Sequence, residues 1–308
     1  MNELLKKPHV YEKVQANGMR IVRIEPSYAC NFHCRHCSIR ELQKKRIGRT
    51  ITIEDIKHIA DQADELGFAQ FVISGGEPLI YPNFDEIVKA IDPQKFYITT
   101  DTNGWYLDWK RTKHLKSIGV DKVQVSIDSL DREIHDKFRG REGSWELAIN
   151  AIRNCKQVGL RVIVQTVVDK ERAYSQELID FIKYFSVWNV PVYIGYAKPV
   201  GAWKENKDAI LTVEDINYVE TLARKYGAFS HLTPDGHCIA VRRMINITKW
   251  GDVNPCPFMQ EYSIGNIFNE PLEDIVACGM VEFGESATTC IMATDENYIQ
   301  RKNEIRSA

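Results

Sequence analysis

The sequence has no long hydrophobic run and no excess of charge of either sign. Its first twenty residues, MNELLKKPHVYEKVQANGMR, lack the continuous apolar core of a signal peptide, and no later stretch is long enough to cross a bilayer. The 40 basic and 42 acidic side chains leave a formal net charge of -2, which creates no global field for nucleic acid or anionic lipid. We therefore expect a cytoplasmic protein that binds neither nucleic acid nor a membrane.

The chain also lacks a Pro/Gly/Ser-rich linker, a low-complexity tract and an internal duplication. Its 308 residues are enough for one large domain, or for a medium domain with a small one packed against it. Cysteine occurs eight times. In a reducing compartment, these thiols are expected to be metal ligands, catalytic groups or small core residues before they are disulfides.

Residues 20–228 repeat a β-rich run, a polar or glycine-containing loop and an amphipathic helix. The helix after residue 52 has a cap-like Thr52-x-x-Asp55 start. Repeated strand-helix units predict a parallel sheet, and six units are fewer than the eight of a closed barrel. The sequence therefore predicts an α/β fold with a partial (β/α)6 barrel. The six β-rich runs are IVRIEP (21–26), FVIS (71–74), FYITT (96–100), VQVSI (123–127), RVIVQTVV (161–168) and PVYIGY (191–196).

The pattern changes after about residue 229. RRMINIT and VNPC read as a β-hairpin around Gly251-Asp252, followed by the short helix PLEDIVACG and a cysteine-containing tail. We predict an N-terminal extension at residues 1–19, the barrel at 20–228 and a small C-terminal domain at 229–308.

Three cysteines stand close together in ACNFHCRHC, directly after the first predicted strand. Cys30, Cys34 and Cys37 could bind three irons of a 4Fe-4S cube and leave the fourth iron open to a small molecule. A zinc knuckle completed by His33 or His36 is the alternative. The position of the loop favours the iron-sulfur cluster, because ligands of parallel barrels collect at the carboxyl ends of the strands.

Polar residues also follow the other predicted strands. The second strand ends in SGGEP, the third in TTDTNG and the fourth in SID, while the fifth contains Gln165 and Thr166 and the sixth ends near Tyr196. All of these groups are therefore expected at one mouth of the barrel.

CxxxCxxC after the first strand and GGEP after the second resemble the radical S-adenosylmethionine (SAM) superfamily, over most of residues 20–200. The resemblance implies that the open iron chelates the amino and carboxylate groups of SAM. It also implies that the reduced cluster passes one electron to the sulfonium, which releases methionine and a 5'-deoxyadenosyl radical. An oxygen-sensitive enzyme with an electron donor such as flavodoxin or ferredoxin is expected.

The resemblance assigns SAM contacts to the residues of the GGEP motif. Gly75 and Gly76 would let the backbone approach the methionyl amino group, although the pair could simply form a turn. Glu77 would orient this loop, which Pro78 completes.

Further SAM contacts follow from the resemblance at the ends of later elements. Asn103, Ser126 and Asp128 match polar contacts to the nucleoside, or they cap the helices that follow. Arg139 matches an arginine that reaches the SAM carboxylate, and a surface ion pair is the alternative. His36 stands where many members carry an aromatic residue near adenine, and an imidazole could stack there.

A second cysteine set resembles the SPASM and Twitch auxiliary-cluster extensions of this superfamily. Cys238, Gly251 and Cys256 follow the order Cys-x12-Gly-x4-Cys, but the downstream CxxCxxxxxC array of full SPASM extensions is absent. One auxiliary 4Fe-4S cluster is therefore expected, with Cys290 as the next ligand. Cys278 is either the fourth ligand or a small packing residue. If it is not a ligand, the cluster has an open iron that could bind substrate.

The leading hypothesis is a radical SAM oxidoreductase or maturase that abstracts a hydrogen atom from a peptide or a small polar metabolite. The second cluster would accept an electron or bind substrate. A dehydrogenase or epimerase of a polyol, amino sugar or nucleotide is one alternative, and a non-catalytic iron-sulfur carrier or zinc protein is another. Because residues 1–19 are too short for a leader-binding domain, peptide recognition would need a separate partner protein or leaderless recognition. Asp101 and Asp128 are candidates for a general base by position alone.

Overall fold

The computed structural model describes residues 6–45, 48–230, 232, 236–284, 290 and 292. Strands and helices alternate through the first three quarters of the described chain. The strands are β1 Ile21–Ser27, β2 Gln70–Gly75, β3 Tyr97–Thr102, β4 Lys122–Ser126, β5 Arg161–Val168, β6 Val192–Tyr196, β7 Phe229–Ser230, β8 Met244–Ile247, β9 Asp252–Asn254 and β10 Gly265–Asn266. The α-helices are α1 Pro8–Asn17, α2 Ile53–Glu65, α3 Phe84–Ile91, α4 Trp109–Ser117, α5 Arg132–Arg139, α6 Ser144–Val158, α7 Lys170–Ala173, α8 Gln176–Val187, α9 Val213–Tyr226 and α10 Leu272–Phe283. Short 3-10 turns occur at Leu42–Lys44, Pro78–Ile80, Gly201–Trp203 and Lys207–Ala209.

The strands form one open sheet in the order β10-β9-β8-β1-β2-β3-β4-β5-β6-β7. Each neighbouring pair from β1 to β7 is parallel, because a helix returns the chain to the same edge between successive strands. Within the described residues, the end strands β10 and β7 are not paired with each other. The predicted α/β fold with a partial barrel is confirmed.

The C-terminal hairpin belongs to the same sheet as the barrel. Strand β8 pairs in parallel with β1, from Ile21 opposite Met244 to Ile24 opposite Ile247, and β9 and β10 continue the sheet as antiparallel strands. The sequence predicted a hairpin that packs against the barrel, whereas the structure extends the barrel sheet by three strands. The hairpin turn also lies slightly earlier than predicted, because Asp252 is already the first residue of β9. The domain boundaries stay predictions.

The helices cover the outer face of the sheet with apolar side chains. Helix α2 begins with the predicted capping box, in which Thr52 Oγ1 accepts from Asp55 N and the Asp55 carboxylate accepts from Thr52 N. Cys155 of α6 is fully buried in the same core, and burial raises the pKa of its thiol to about 12, so it is a packing residue. In the described part of the chain, no helix is long and apolar enough to cross a membrane.

The inner face of the sheet carries polar as well as apolar side chains. In β4, Val123 and Val125 pack into the outer core, while Lys122, Gln124 and Ser126 line a cavity inside the barrel. This alternation follows from the two-residue period of a strand, which sends successive side chains to opposite faces. The barrel therefore surrounds a cavity lined by both polar and apolar side chains.

Candidate active site

A cavity of about 460 Å³ occupies the interior of the barrel. Two cysteine triads line it: Cys30, Cys34 and Cys37 from the loop after β1, and Cys238, Cys256 and Cys290 from the C-terminal region. The structure brings together six of the seven cysteines that the sequence predicted as ligands. Cys278 is exposed on α10 and does not line the cavity.

The three thiols of the cysteine loop lie close together. Each of Cys30 and Cys37 feels the charge of a neighbouring thiol of this loop, as ligands of one site would. Within the described residues, no group of three His, Cys, Asp or Glu side chains is arranged to hold a single metal ion. The ligand role of the three cysteines stays a prediction.

The GGEP motif packs directly against the start of the cysteine loop. Gly76 N donates to Ser27 O at 3.0 Å, and Glu77 N donates to Ala29 O at 2.9 Å. A Cβ on Gly76 would lie 1.9 Å from Ala29 O, so glycine is required for this contact. Gly75 has a φ of +103°, and a Cβ on it would lie 2.3 Å from Ser27 O. Both glycines line the cavity, but the close approach that requires them is to the cysteine loop.

Glu77 connects the GGEP motif to the end of β3. Its buried carboxylate accepts hydrogen bonds from Leu79 N at 3.1 Å, Thr102 Oγ1 at 2.8 Å and Asn103 N at 2.7 Å. Burial raises the pKa of this carboxyl to about 7, despite those hydrogen bonds. Pro78 begins the adjacent 3-10 turn, is buried and does not line the cavity. Glu77 therefore links the GGEP motif to the end of β3, and its role in orienting the SAM-binding loop stays a prediction.

The predicted nucleoside contacts divide into two groups. Asn103 lines the cavity, and its Nδ2 donates to Asn31 Oδ1 of the cysteine loop at 2.8 Å. Ser126 lines the cavity at the end of β4. Asp128 does not line the cavity in this structure.

Asp128 and Arg139 form a buried ion pair, with 2.6 Å between Arg139 Nε and Asp128 Oδ2. Burial opposes ionisation of Asp128, but the adjacent guanidinium lowers the pKa of its carboxyl to about 2. Arg139 also lines the cavity, with Nη1 3.9 Å from Cys34 Sγ. The alternative of a surface ion pair is wrong, because both side chains are buried. An ion-paired carboxylate with this pKa is a poor general base, so the structure does not support Asp128 in that role.

His36 faces aromatic side chains beside the cysteine loop. Its ring stacks on Phe138 with 4.7 Å between centroids and 18° between planes, and Trp203 lies 5.8 Å away. Burial and the nearby Arg139 lower the pKa of His36 to about 4, which keeps the imidazole neutral. His36 lines the cavity, and its predicted stacking with adenine stays a prediction.

The second triad has a lysine beside it that the sequence did not indicate. Lys198, two residues after β6, is buried, and its Nζ lies 2.8 Å from Cys290 Sγ. Burial raises the pKa of Cys256 to about 12, so the free thiol is protonated at neutral pH and metal binding must displace the proton. A cationic neighbour helps to hold a thiolate, which suits a metal ligand at Cys290.

Asp101 lies deeper in the cavity within a polar network. Its carboxylate accepts hydrogen bonds from Ser74 Oγ at 2.8 Å and Gln124 Nε2 at 2.5 Å, and Arg23 Nη1 lies 3.4 Å from it. Sequence reasoning missed Arg23, Lys122 and Gln124. The available signal was the recurrence of polar residues at every second position of strands that are otherwise apolar.

Comparison with known proteins decides the family. Residues 24–182, just over half of the chain, match the sequence model of the Radical SAM superfamily. The chain belongs to this superfamily. Residues 238–291 match the SPASM model, described as an iron-sulfur cluster-binding domain, and this range contains the second triad. A radical SAM domain implies a 4Fe-4S cluster and SAM, and the SPASM match implies auxiliary iron-sulfur binding. The two triads lie within the two matched ranges, and their ligand roles stay predictions.

The sequence identity between this radical SAM chain and its individual relatives is low. It is 28% identical over 264 residues to the antilisterial bacteriocin subtilosin biosynthesis protein AlbA of Bacillus subtilis, covering 82% of this chain and 58% of AlbA. It is 30% identical over 154 residues to the AdoMet-dependent heme synthase of Methanosarcina barkeri, covering 50% of this chain and 44% of the synthase. The chain therefore spans about half the length of these curated relatives.

The structure of Streptococcus suis SuiB bound to the precursor peptide SuiA has the same fold. The TM-score is 0.63 at 18% identity, and the alignment covers 96% of this chain and 70% of SuiB. This likeness supports the partial barrel and its C-terminal extension.

Proposed function

We propose that this protein is a radical SAM enzyme that removes a hydrogen atom from a peptide held inside the barrel, with an auxiliary 4Fe-4S cluster at the second triad. The observation that carries the proposal is that both cysteine triads line one cavity. A substrate in this space would lie between the two cluster sites. That arrangement suits a substrate radical formed near the first site and an electron accepted at the second.

The residues around the first triad have separate tasks in this proposal. Cys30, Cys34 and Cys37 hold the cluster, which together with bound SAM supplies the radical chemistry of the superfamily. Glu77 joins the GGEP motif to Ala29 of the cysteine loop through its backbone N–H and to the end of β3 through its carboxylate. Arg139 presents its guanidinium beside Cys34, and Asp128 holds it in place. An arginine on the cavity wall can bind a carboxylate in bidentate fashion, which suits the SAM carboxylate.

The apolar side of the first site limits access of water. His36, Phe138 and Trp203 pack together next to the cysteine loop, and Ala202 N donates to Cys37 O at 3.0 Å. A dry site protects a reactive radical from side reactions. This wall is formed by the loop after β6 together with α5, so it depends on the folded barrel.

The three-cysteine composition of the second site leaves a coordination position for substrate or another ligand. Cys238, Cys256 and Cys290 line the cavity, whereas Cys278 is exposed on α10. We propose that the triad holds the auxiliary cluster without Cys278. Electron acceptance and direct substrate binding are both compatible with this site.

A peptide is the favoured substrate for two reasons. SuiB, whose fold matches nearly all of this chain, was solved with a precursor peptide bound. AlbA is a biosynthesis protein for the bacteriocin subtilosin. The cavity of about 460 Å³, with its polar side chains, would also accept a small polar metabolite. The heme synthase is a relative that is named for a product other than a peptide. The small-molecule alternative therefore covers a dehydrogenase or epimerase acting on a polyol, amino sugar or nucleotide. An electron donor such as flavodoxin or ferredoxin is required in either case, and a separate peptide-binding protein would serve the peptide substrate.

The cluster content can be tested by anaerobic reconstitution. The wild type is expected to bind about eight irons per chain and to form 5'-deoxyadenosine from SAM after reduction. Cys30→Ser should remove about four irons and abolish this product, and Cys256→Ser should remove about four irons. Cys278→Ser is the matched control, because its thiol is exposed outside the cavity, and it should keep the full iron content.

Two results would contradict the proposal. Tightly bound zinc with no SAM cleavage would make the protein a zinc-binding protein, and iron with no SAM cleavage would make it an electron carrier. The substrate is tested separately with deuterated peptides and deuterated polar metabolites. Transfer of deuterium into 5'-deoxyadenosine from metabolites but not from peptides would favour the alternative substrate class.

A further inference from the structure

The cavity extends along the strands, away from the cysteine loop, to the opposite end of the barrel. Lys122 is the first residue of β4, and Ser126 is the last; both line the cavity on the same face of the strand. Four residues of a parallel strand span about 13 Å, so Lys122 lies roughly this far along the strand from the end that faces the first triad. Ile21 and Met244, at the starts of β1 and β8, line the same far end.

The charged groups in the middle of the cavity are already paired. Arg23 lies 3.4 Å from Asp101 and 3.6 Å from Glu25. Both oxygens of Asp101 also accept hydrogen bonds, from Ser74 and Gln124. Arg23 therefore has carboxylate partners without a substrate.

Lys122 differs from that network. Among the described residues, its ammonium has no hydrogen-bond or ion-pair partner, and its nearest aromatic contact is the Tyr97 ring, whose centroid is 5.9 Å from Nζ. Arg243, whose backbone carbonyl accepts from Ile21 N at 2.7 Å, also lines this end of the cavity but is an exposed residue. Lys122 therefore brings to the far end of the cavity an ammonium that no carboxylate of the described residues contacts.

The surroundings of Lys122 make an anionic ligand favourable. Burial, together with the nearby Arg161, lowers the pKa of Lys122 to about 8, while Asp101 acts in the opposite direction. A partly desolvated ammonium without a partner gains more from a counter-ion than an ammonium in water does, because water no longer screens the charge.

We propose that Lys122 binds a carboxylate of the substrate at the far end of the cavity. This inference rests on the proposed function, in which the substrate enters the barrel. A compact ammonium with three donors suits a single carboxylate group, whereas the reacting carbon would lie near the first triad. The carboxylate is supplied either by an acidic side chain or by a free C-terminus.

Two pairs of peptide probes separate these sources. Acetyl-Gly-Glu-Gly-amide is compared with acetyl-Gly-Gln-Gly-amide for a side-chain carboxylate. Acetyl-triglycine with a free C-terminus is compared with its amide for a terminal carboxylate. Their dissociation constants are measured by equilibrium dialysis against the anaerobically reconstituted protein with SAM bound.

A charge-assisted contact of this kind is expected to make one carboxylate probe bind about tenfold or more tightly than its amide. Lys122→Met should remove this preference, and Lys122→Arg should retain much of it. Lys113→Met is the matched control, since Lys113 is exposed on α4, and it should keep the preference. Thermal unfolding of each variant verifies that it is folded.

The proposal is overturned if neither carboxylate probe binds more tightly than its amide, or if Lys122→Met keeps the preference. It is also overturned if Lys122→Met weakens the carboxylate and amide probes equally. The proposed function fails by a different measurement, namely the absence of 5'-deoxyadenosine from the wild type. Probe binding and SAM cleavage are scored independently, so the two failures can be distinguished.

Discussion

Replacing Asp128 with asparagine tests the buried ion pair that holds Arg139 beside the first cysteine triad. Both side chains are buried, and no more than 8% of either is exposed to solvent. Asp128→Asn would leave the guanidinium in a buried site without its counter-charge. Removing one partner of such a pair costs about 3–5 kcal/mol, so we expect a loss of this size in the free energy of unfolding at neutral pH.

The double variant separates the ion pair from other effects. Asp128→Asn with Arg139→Met removes both charges and replaces the guanidinium with an apolar side chain, so it should cost less than the two single variants added together. Urea unfolding of the reconstituted proteins under anaerobic conditions measures these energies. Additive losses, or a loss below about 1 kcal/mol for Asp128→Asn, would refute the buried pair.

The pH dependence of the same pair has a defined sign. The pKa of Asp128 in the folded protein is about 2, below the ordinary value of 3.8. Its contribution to stability is therefore complete above about 3.8 and is lost as the pH falls through about 2. The wild type should lose more stability across this window than the double variant does.

Three further predictions concern the cavity wall. Gly76→Ala should lose iron from the first site and lower the free energy of unfolding by about 1–3 kcal/mol, because its Cβ would overlap the backbone of the cysteine loop. Gly195→Ala is the control and should keep its iron, since the atom nearest to its Cβ is 3.6 Å away. Lys198→Met should make the reduction potential of the auxiliary cluster more negative, because a cation 2.8 Å from Cys290 Sγ stabilises the reduced cluster. The potential is measured by an EPR-monitored redox titration, and an unchanged value would contradict this contact. Binding of the favoured carboxylate probe should weaken as the pH rises through about 8, where Lys122 loses its proton, and the amide probe should show no such change.

Local sequence patterns were sufficient for the elements that carry the site. Strand periodicity located β1 to β6, and the spacing of Cys30, Cys34 and Cys37 predicted a shared ligand set that the structure places on one cavity wall. Each of these signals lies within a few consecutive residues. The polar residues at the ends of the strands were also predicted to lie together, because the carboxyl ends of parallel strands share one edge of the sheet.

Contacts between distant segments could not be predicted in this way. The pairing of β8 with β1 joins residues more than two hundred positions apart, and neither strand carries a local signal for its partner. The same limitation applies to Lys198 beside Cys290, and to Arg139 with Asp128 as a buried pair. For Cys278 the local pattern was misleading. Its position along the chain suggested a ligand, whereas helix α10 exposes its thiol to solvent.

The pairing of β8 with β1 has a consequence for attempts to isolate the barrel. A protein truncated before β8 would expose the full hydrogen-bonding edge of β1, the strand that leads into the first cysteine triad. Open strand edges of this kind recruit other chains, so the truncated barrel should aggregate and should not serve as a simplified SAM-cleaving unit. The auxiliary region therefore protects the edge of the catalytic barrel from self-association, whatever part its own cluster plays in the reaction.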